Sequence, residues 1–238
     1  MNPDDPLTTE LATLLSAGPP DLLTRIAATW ARTPGPTGDL YVASTRRGVV
    51  YVRTCDAVHD DPDEFAASFH NRFTRPLIPA TTPPDRARFD LTELSPVERE
   101  ILLAVLTIPR GQVRPSTWLA GRVSRSRATV DVVLCRNPIP VLIPCHRVIS
   151  PDGTPGGYVF GPDAKRALLS AEGTNLGQVY ELAQHDIHYL ASASTGTVCF
   201  PTCPNVAGQR HGFRSVAVAR AHGYRPCPDC RPETGEVG

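Results

Sequence analysis

The chain has 238 residues, 41% of them hydrophobic and 20% charged, with 24 basic groups balanced by 24 acidic ones. That composition sustains one or two packed domains and argues against a wholly disordered chain. The longest apolar stretch, Ile101 to Ile108, is far short of the ~18 residues of a membrane span. Met1-Asn2-Pro3-Asp4-Asp5 offers no basic start for a secretory signal. The expectation is a cytoplasmic protein with no membrane partner.

The neutral total hides an uneven distribution. Residues 1–90 carry 12 acids against 9 arginines, whereas residues 110–147 carry seven arginines (110, 114, 122, 125, 127, 136 and 147) against Asp131 alone. A local basic block suits phosphate contact, and a solvated surface is the other reading. Every basic residue except Lys165 is arginine, a bias that reads as GC-rich coding and lowers the weight of the count. The seven cysteines are odd in number, and the last four fall in two close pairs. That pattern points to a metal site plus free thiols in a reducing compartment rather than a disulfide framework.

Along the chain, residues 6–33 show two short helical patterns broken at Gly18-Pro19-Pro20, the second carried by Leu22, Leu23, Ile26, Ala27 and Trp30. Leu40–Ala43 and Val49–Val52, joined by Thr45-Arg46-Arg47-Gly48, read as a hairpin. Asp63 to Phe73 reads as a helix, and the four prolines of residues 76–87 as a linker. Ser95-Pro96-Val97-Glu98 is a capping box that opens the next helix, which Pro109-Arg110-Gly111 ends. Short helices are expected at Ser116–Arg122 and Thr129–Arg136; such a pair inside a basic block suits a helix-turn-helix. Residues 174–184 read as a connecting helix, and residues 186–238 as a separate cysteine-rich unit.

The densest chemistry lies in Asn137-Pro138-Ile139-Pro140-Val141-Leu142-Ile143-Pro144-Cys145-His146-Arg147-Val148. Three prolines fix an extended, rigid path. It ends in a cysteine beside a histidine, so it presents either an activated thiol, since a thiolate needs an adjacent base or cation, or an inert buried one.

Pro144-Cys145-His146-Arg147-Val148, with Gly156-Gly157-Tyr158, Lys165-Arg166-Ala167-Leu168-Leu169, Glu172-Gly173 and the upstream Ile108-Pro109-Arg110-Gly111, closely resembles the O6-alkylguanine-DNA alkyltransferases. The resemblance covers roughly residues 36–175. It implies a suicide repair protein that flips a damaged guanine out of duplex DNA and moves its O6-alkyl group onto one cysteine. By the matching motif Cys145 is the acceptor, His146 removes its proton through a water, Glu172 orients His146, and Asn137 holds the turn. Tyr158 lines the guanine pocket, and backbone near Val148 and Val159 reads the base edges. The partner implied is double-stranded DNA containing O6-alkylguanine, met by a monomer.

Three departures from the family pattern bear on DNA. Ser116 follows Arg114-Pro115 where the family usually has tyrosine. The recognition helix reads Arg125-Ser126-Arg127-Ala128-Thr129-Val130-Asp131-Val132 and is two residues shorter, so Arg127 substitutes as the arginine finger only out of register. Asp131 and Val132 replace small residues; Asp131 either faces phosphate, which is repulsive, or caps the helix.

Cys199-x3-Cys203 and Cys227-x2-Cys230, 23 residues apart, have zinc spacing, and four soft ligands suit a closed tetrahedral Zn2+ site. So small a unit depends on metal for its folding. Its sequence resembles the metal-binding domain of the adaptive-response protein Ada, placed here behind the thiol segment rather than before it. That resemblance makes Cys199 a candidate second methyl acceptor, from phosphotriesters. Phe200, Pro228 and Asp229 stand where basic residues are usual, which favours structural zinc with auxiliary DNA contact.

The expected fold is α/β. It comprises an N-terminal helical extension (1–35), a ribonuclease H-like sheet domain (36–85), a mostly helical, winged-helix-like alkyltransferase domain (90–175) and a four-cysteine zinc domain (186–234). No organic cofactor is implied. The competing readings are a sensor that binds alkylated DNA with weak or no transfer, and a zinc-dependent regulator. Retention of Cys145 counts against the first, and the lack of a separate transcription-factor domain against the second.

Overall fold

The computed structural model describes residues 25–80 and 82–232, and the chain divides into two compact units, one ending at Leu91 and one beginning at Thr92.

The described residues of the first unit include a four-stranded sheet and a helix packed with it. Its strands are β1 (Ala28–Thr33), β2 (Leu40–Thr45), β3 (Gly48–Thr54) and β4 (Leu77–Pro79), in the order β3-β2-β1-β4. The β2–β3 hairpin is antiparallel as expected. Its turn requires Gly48, whose φ is +140° and where a Cβ would meet the Arg88 carbonyl. Helix α1 (Pro62–His70) is capped by Asp61. It sets Phe65 and Phe69 against Tyr41, Tyr51 and Phe73 in the unit's aromatic core.

Two expectations are corrected here. The second helical pattern, within the 1–35 extension, holds at Arg25 and Ile26, which are helical, and gives way from Ala28 to strand β1, in which Trp30 pairs with Ala43 of β2. Thr29, Trp30 and Thr33 suit a pleated surface, and the ladder to β2 overrides a short helical periodicity. The first pattern, and Leu22 and Leu23 of the second, lie outside the described residues. The stretch read as a linker contains β4, parallel to β1. Its prolines are tolerated because an edge strand bonds on one side only. Pro76 contributes its carbonyl to Ala28 N–H at 2.8 Å, and Ala80 N–H donates to Trp30 at 2.7 Å.

The second unit opens with α2 (Pro96–Val105). Ser95 Oγ accepts from Glu98 N–H at 3.2 Å, and Glu98 Oε2 accepts from Ser95 N–H at 2.9 Å. Strand β5 (Arg114–Pro115) leads directly into α3 (Ser116–Arg122), followed by α4 (Arg127–Cys135), which Ser126 caps. A 3-10 turn, Cys145–Arg147, runs into β6 (Val148–Ile149), parallel to β5. Helices α5 (Gly161–Ala171) and α6 (Leu176–Gln184) close a core in which Val113, Ile149, Leu169 and Val179 pack together.

The cysteine-rich end adds β7 (Tyr189–Ser192), β8 (Thr197–Cys199), β9 (Arg210–Phe213), α7 (Val216–Ala221) and β10 (Arg225–Pro226). Its sheet order is β10-β8-β7-β9. Among the described residues, no helix is long and apolar enough to cross a membrane.

Candidate functional site

The proline-rich segment folds into a turn that Asn137 holds from inside. Asn137 is 1% exposed. Its Oδ1 accepts from Ile139 N–H at 2.9 Å, and its Nδ2 donates to Ile143 O and to Cys145 Sγ, both at 3.2 Å. At the apex, Val141 sits at φ +71°, a strained conformation for a β-branched residue; the Ile143 N–H to Ile139 O bond at 2.9 Å clamps it. Cys145 leaves this turn buried. Burial pushes its thiol up to about 11, against the opposing pull of the Asn137 hydrogen bond and the Lys165 charge. At neutral pH the resting group is therefore the thiol, and reaction needs a base.

That base stands next in sequence. His146 is 1% exposed, and its Nε2 donates to Glu172 Oε1 at 3.0 Å. His146 Nδ1 is buried and has no hydrogen-bond partner among the described residues. Glu172, at the C-terminal cap of α5, also accepts from Arg147 Nε at 2.9 Å, Arg147 Nη2 at 2.7 Å and Gly111 N–H at 3.2 Å. Partial burial pushes this carboxyl up, but the hydrogen bonds from His146 and Arg147 outweigh it and hold the group at about 2. Arg147 Nη1 reaches Ile108 O at 2.7 Å. The Ile108–Gly111 and Pro144–Val148 motifs thus meet on one carboxylate.

Tyr158 lies edge-on to His146, ring centroids 6.3 Å apart, and burial, with the charge of Cys145, raises its hydroxyl pKa. Lys165 is buried, its Nζ donating to Val148 O at 2.6 Å and Gly157 O at 3.1 Å; burial lowers it to about 8. Lys165 and Arg147 stand inside the family motif without a sequence-derived role. The chain's single lysine among 23 arginines is the signal that could have found the first. Val159 is half-buried beyond Tyr158.

Ser116, Arg127 and Val148 line a separate cavity of about 220 Å³ with Asp131, Cys135 and Lys165. Ser116 is buried and its Oγ has no partner among the described residues. Arg127 opens α4 exposed, with Nε 3.4 Å from Asp131 Oδ2. Asp131 does not cap the helix, since Ser126 does; it sits one turn in and holds Arg127. The basic block is smaller as a surface than its count suggests. Arg114 is 2% exposed, Arg147 is engaged by Glu172, and Arg125 pairs with Glu100 at 3.3 Å.

Cys199, Cys203, Cys227 and Cys230 converge at the other end of this unit. All four are buried, with sulfurs within 4.8 Å of one another. Tetrahedral zinc at about 2.3 Å from each sulfur needs sulfurs about 3.8 Å apart, so the donor set and its spacing fit structural Zn2+. Asn205 Nδ2 donates to Cys227 Sγ at 3.3 Å and to Asp229 Oδ2 at 2.6 Å, orienting a ligand from outside the cluster. His211 and His222 are exposed and are not part of this donor set.

A family model described as "6-O-methylguanine DNA methyltransferase, DNA binding domain" matches residues 96–174, and one described as "Metal binding domain of Ada" matches residues 182–233. A methylated-DNA–protein-cysteine methyltransferase of Methanothermobacter thermautotrophicus is 41% identical over 93 residues, 37% of this chain and 53% of that protein. One of Saccharolobus islandicus is 33% identical over 147 residues, 59% of this chain and 93% of that protein. Among solved structures, an O6-methylguanine-DNA methyltransferase of Pyrococcus kodakaraensis superposes with a TM-score of 0.49 at 21% identity, over 62% of this chain and 99% of that one. With one relative matched over nearly its whole length and a cluster of four cysteines behind the thiol turn, the chain belongs to the methylated-DNA–protein-cysteine methyltransferase family and carries an Ada-type zinc domain at its C-terminal end.

Proposed function

We propose that this protein repairs DNA by moving the alkyl group of O6-alkylguanine onto Cys145 in a single turnover. The observation that carries the proposal is the series Asn137–Cys145–His146–Glu172, whose first three members are buried and whose carboxylate is partly exposed. A carboxylate ionised at neutral pH fixes the His146 Nε2 proton and leaves Nδ1 as an unpartnered base beside the acceptor residue. His146 takes the Cys145 proton through a water. The sulfur then attacks the alkyl carbon, an S–C bond forms, and the C–O6 bond breaks with its electrons leaving on guanine. A proton returned to the base balances the step. The thioether is stable, so the protein is spent.

Asn137 holds the sulfur in place, and Tyr158 lines the guanine pocket. The Val148 carbonyl keeps one lone pair for a base edge beside its Lys165 bond, and the Val159 backbone offers a second contact. Arg127 fills the gap left by the flipped base once it parts from Asp131, and Ser116, being buried, offers its hydroxyl only to the cavity it lines with Arg127. The partner is duplex DNA, met by a monomer through the α3–α4 pair; that pair, with the short β5–β6 pairing, is in keeping with a winged-helix-like domain over 90–175. The order β3-β2-β1-β4, with β4 parallel to β1, is in keeping with a ribonuclease H-like first domain. Residues 186–234 form the zinc domain.

The test is intact and peptide mass spectrometry of the zinc-loaded protein after mixing with a duplex carrying one O6-methylguanine. Stoichiometric methylation at Cys145, absent from Cys145→Ala, is expected. Bound DNA without an adduct would defeat the proposal in favour of a sensor.

A further inference from the structure

We infer that Arg114 is a positioning residue that ties zinc occupancy of the C-terminal site to the geometry of the DNA-binding segment and the thiol turn. The inference rests on the reading above for the role of that segment. Three contacts carry it, and each lands on the residue adjoining a zinc ligand. The Arg114 guanidinium lies over the Phe200 ring, 4.7 Å from its centroid, and Phe200 follows Cys199. Val113 N–H donates to Thr202 Oγ1 at 3.0 Å, and Thr202 precedes Cys203. Trp118 Nε1 donates to Arg231 O at 3.0 Å, and Arg231 follows Cys230. Three of the four knuckle positions therefore grip one short segment, residues 113–118, which holds β5 and the start of α3.

The charges make this more than packing. Arg114 is buried, and its hydrogen bonds go to neutral acceptors, Val113 O at 2.8 Å and Gln112 Oε1 at 2.6 Å. A buried cation without a counter-charge is unfavourable. Its surroundings supply one: Zn2+ with four thiolates carries a net charge of −2, and all four cluster cysteines act on the Arg114 charge. Arg114 also shares a cavity lining with Cys230, Trp118 and Arg231. The segment it anchors continues to the chemistry, because Arg114 pairs with Val148 and Pro115 with Ile149 in the β5–β6 ladder, one residue beyond the Cys145–Arg147 turn. Loss of zinc removes the anion, strands the cation and loosens β5, α3 and the turn together.

The test uses the full-length zinc-loaded protein, Arg114→Met and Arg114→Lys. Zinc release to a chelating dye, affinity for an unmodified duplex before and after chelation, and amide exchange at residues 113–118 and 148–149 are measured. Arg114→Met is expected to release zinc at least tenfold faster and Arg114→Lys to recover part of that loss. Chelation is expected to weaken wild-type duplex binding at least tenfold, to deprotect both amide stretches, and to add little to the loss already present in Arg114→Met. Wild-type release rates in Arg114→Met, or unchanged protection and affinity in zinc-stripped wild type, would overturn the inference. Should Arg114→Met not fold, Arg114→Lys and the stripped wild type decide it. A wild type that binds no duplex would sink the functional reading alone, since zinc release and exchange still test the coupling.

Discussion

Glu172 Oε1 sits 3.0 Å from His146 Nε2 and 2.7 Å from Arg147 Nη2, so two consecutive residues of the thiol turn share one carboxylate. Arg147 keeps Glu172 ionised, and Glu172 keeps the His146 proton on Nε2. Replacing the carboxylate by an amide lets either ring nitrogen carry the proton and removes the charge that stabilises the imidazolium. Glu172→Gln is expected to slow single-turnover methyl transfer on the order of 10²-fold while duplex affinity stays within about twofold. Quench-flow kinetics with an O6-methylguanine duplex, alongside binding, would check this; equal losses in both would mean the pair only supports the fold.

The same carboxylate makes stability pH-dependent. Its folded pKa of about 2 lies below the ordinary 4.5. The folded state therefore binds fewer protons than the unfolded state between those values. The contribution is complete above pH 4.5 and is lost as pH falls from 4.5 to 2. Discounted for partial solvent screening, it amounts to about 1–2 kcal/mol. Denaturant unfolding of wild type and Glu172→Gln at pH 7, 4 and 3 is expected to show a gap that narrows with acid; a constant gap would contradict it.

Much of the second unit is legible in residue order. The Ser95 capping box, the two short helices and the Cys145–His146 motif depend on local spacing, and local spacing is what a sequence displays. Strand β1 escapes such a reading because its partners, β2 and β4, are separate segments of the chain, and their pairing outweighs a weak helical period. The arginine block misleads for a related reason. Arg114 and Arg147 look alike in sequence, yet one lies over Phe200, next to a zinc-site cysteine, and the other binds Glu172, both partners distant in the chain. The four zinc ligands need no such knowledge, because four thiols in two close pairs at knuckle spacing form the donor set of a tetrahedral zinc site.

Asn137 is expected to matter to both stability and reactivity. Its amide satisfies Ile139 N–H and Ile143 O inside a turn that holds Val141 at positive φ. Asn137→Ala leaves those groups buried and unmet, at about 2–3 kcal/mol. It also removes the hydrogen bond that lowers the Cys145 thiol pKa. The inflection in the pH profile of Cys145 alkylation by a small iodoacetyl reagent should move further above neutrality. Unfolding curves and that pH profile give the two readings, and a profile that stays in place would show the Sγ contact to be incidental.

Asp131 is expected to restrain DNA binding. It lies one turn into α4 with its carboxylate 3.4 Å from Arg127 Nε, and both side chains are about half exposed. An exposed pair of this kind adds little stability, so Asp131→Asn should shift unfolding by less than about 0.5 kcal/mol. On DNA the effect is larger, because Arg127 is released for phosphate or the base gap and a repelling charge disappears. Each additional phosphate neutralised steepens the dependence of log affinity on log salt by about 0.9. Binding isotherms for an unmodified duplex at several salt concentrations should therefore show tighter binding at low salt and a slope steeper by about one unit. Unchanged affinity and slope would mean that Asp131 points away from the bound duplex.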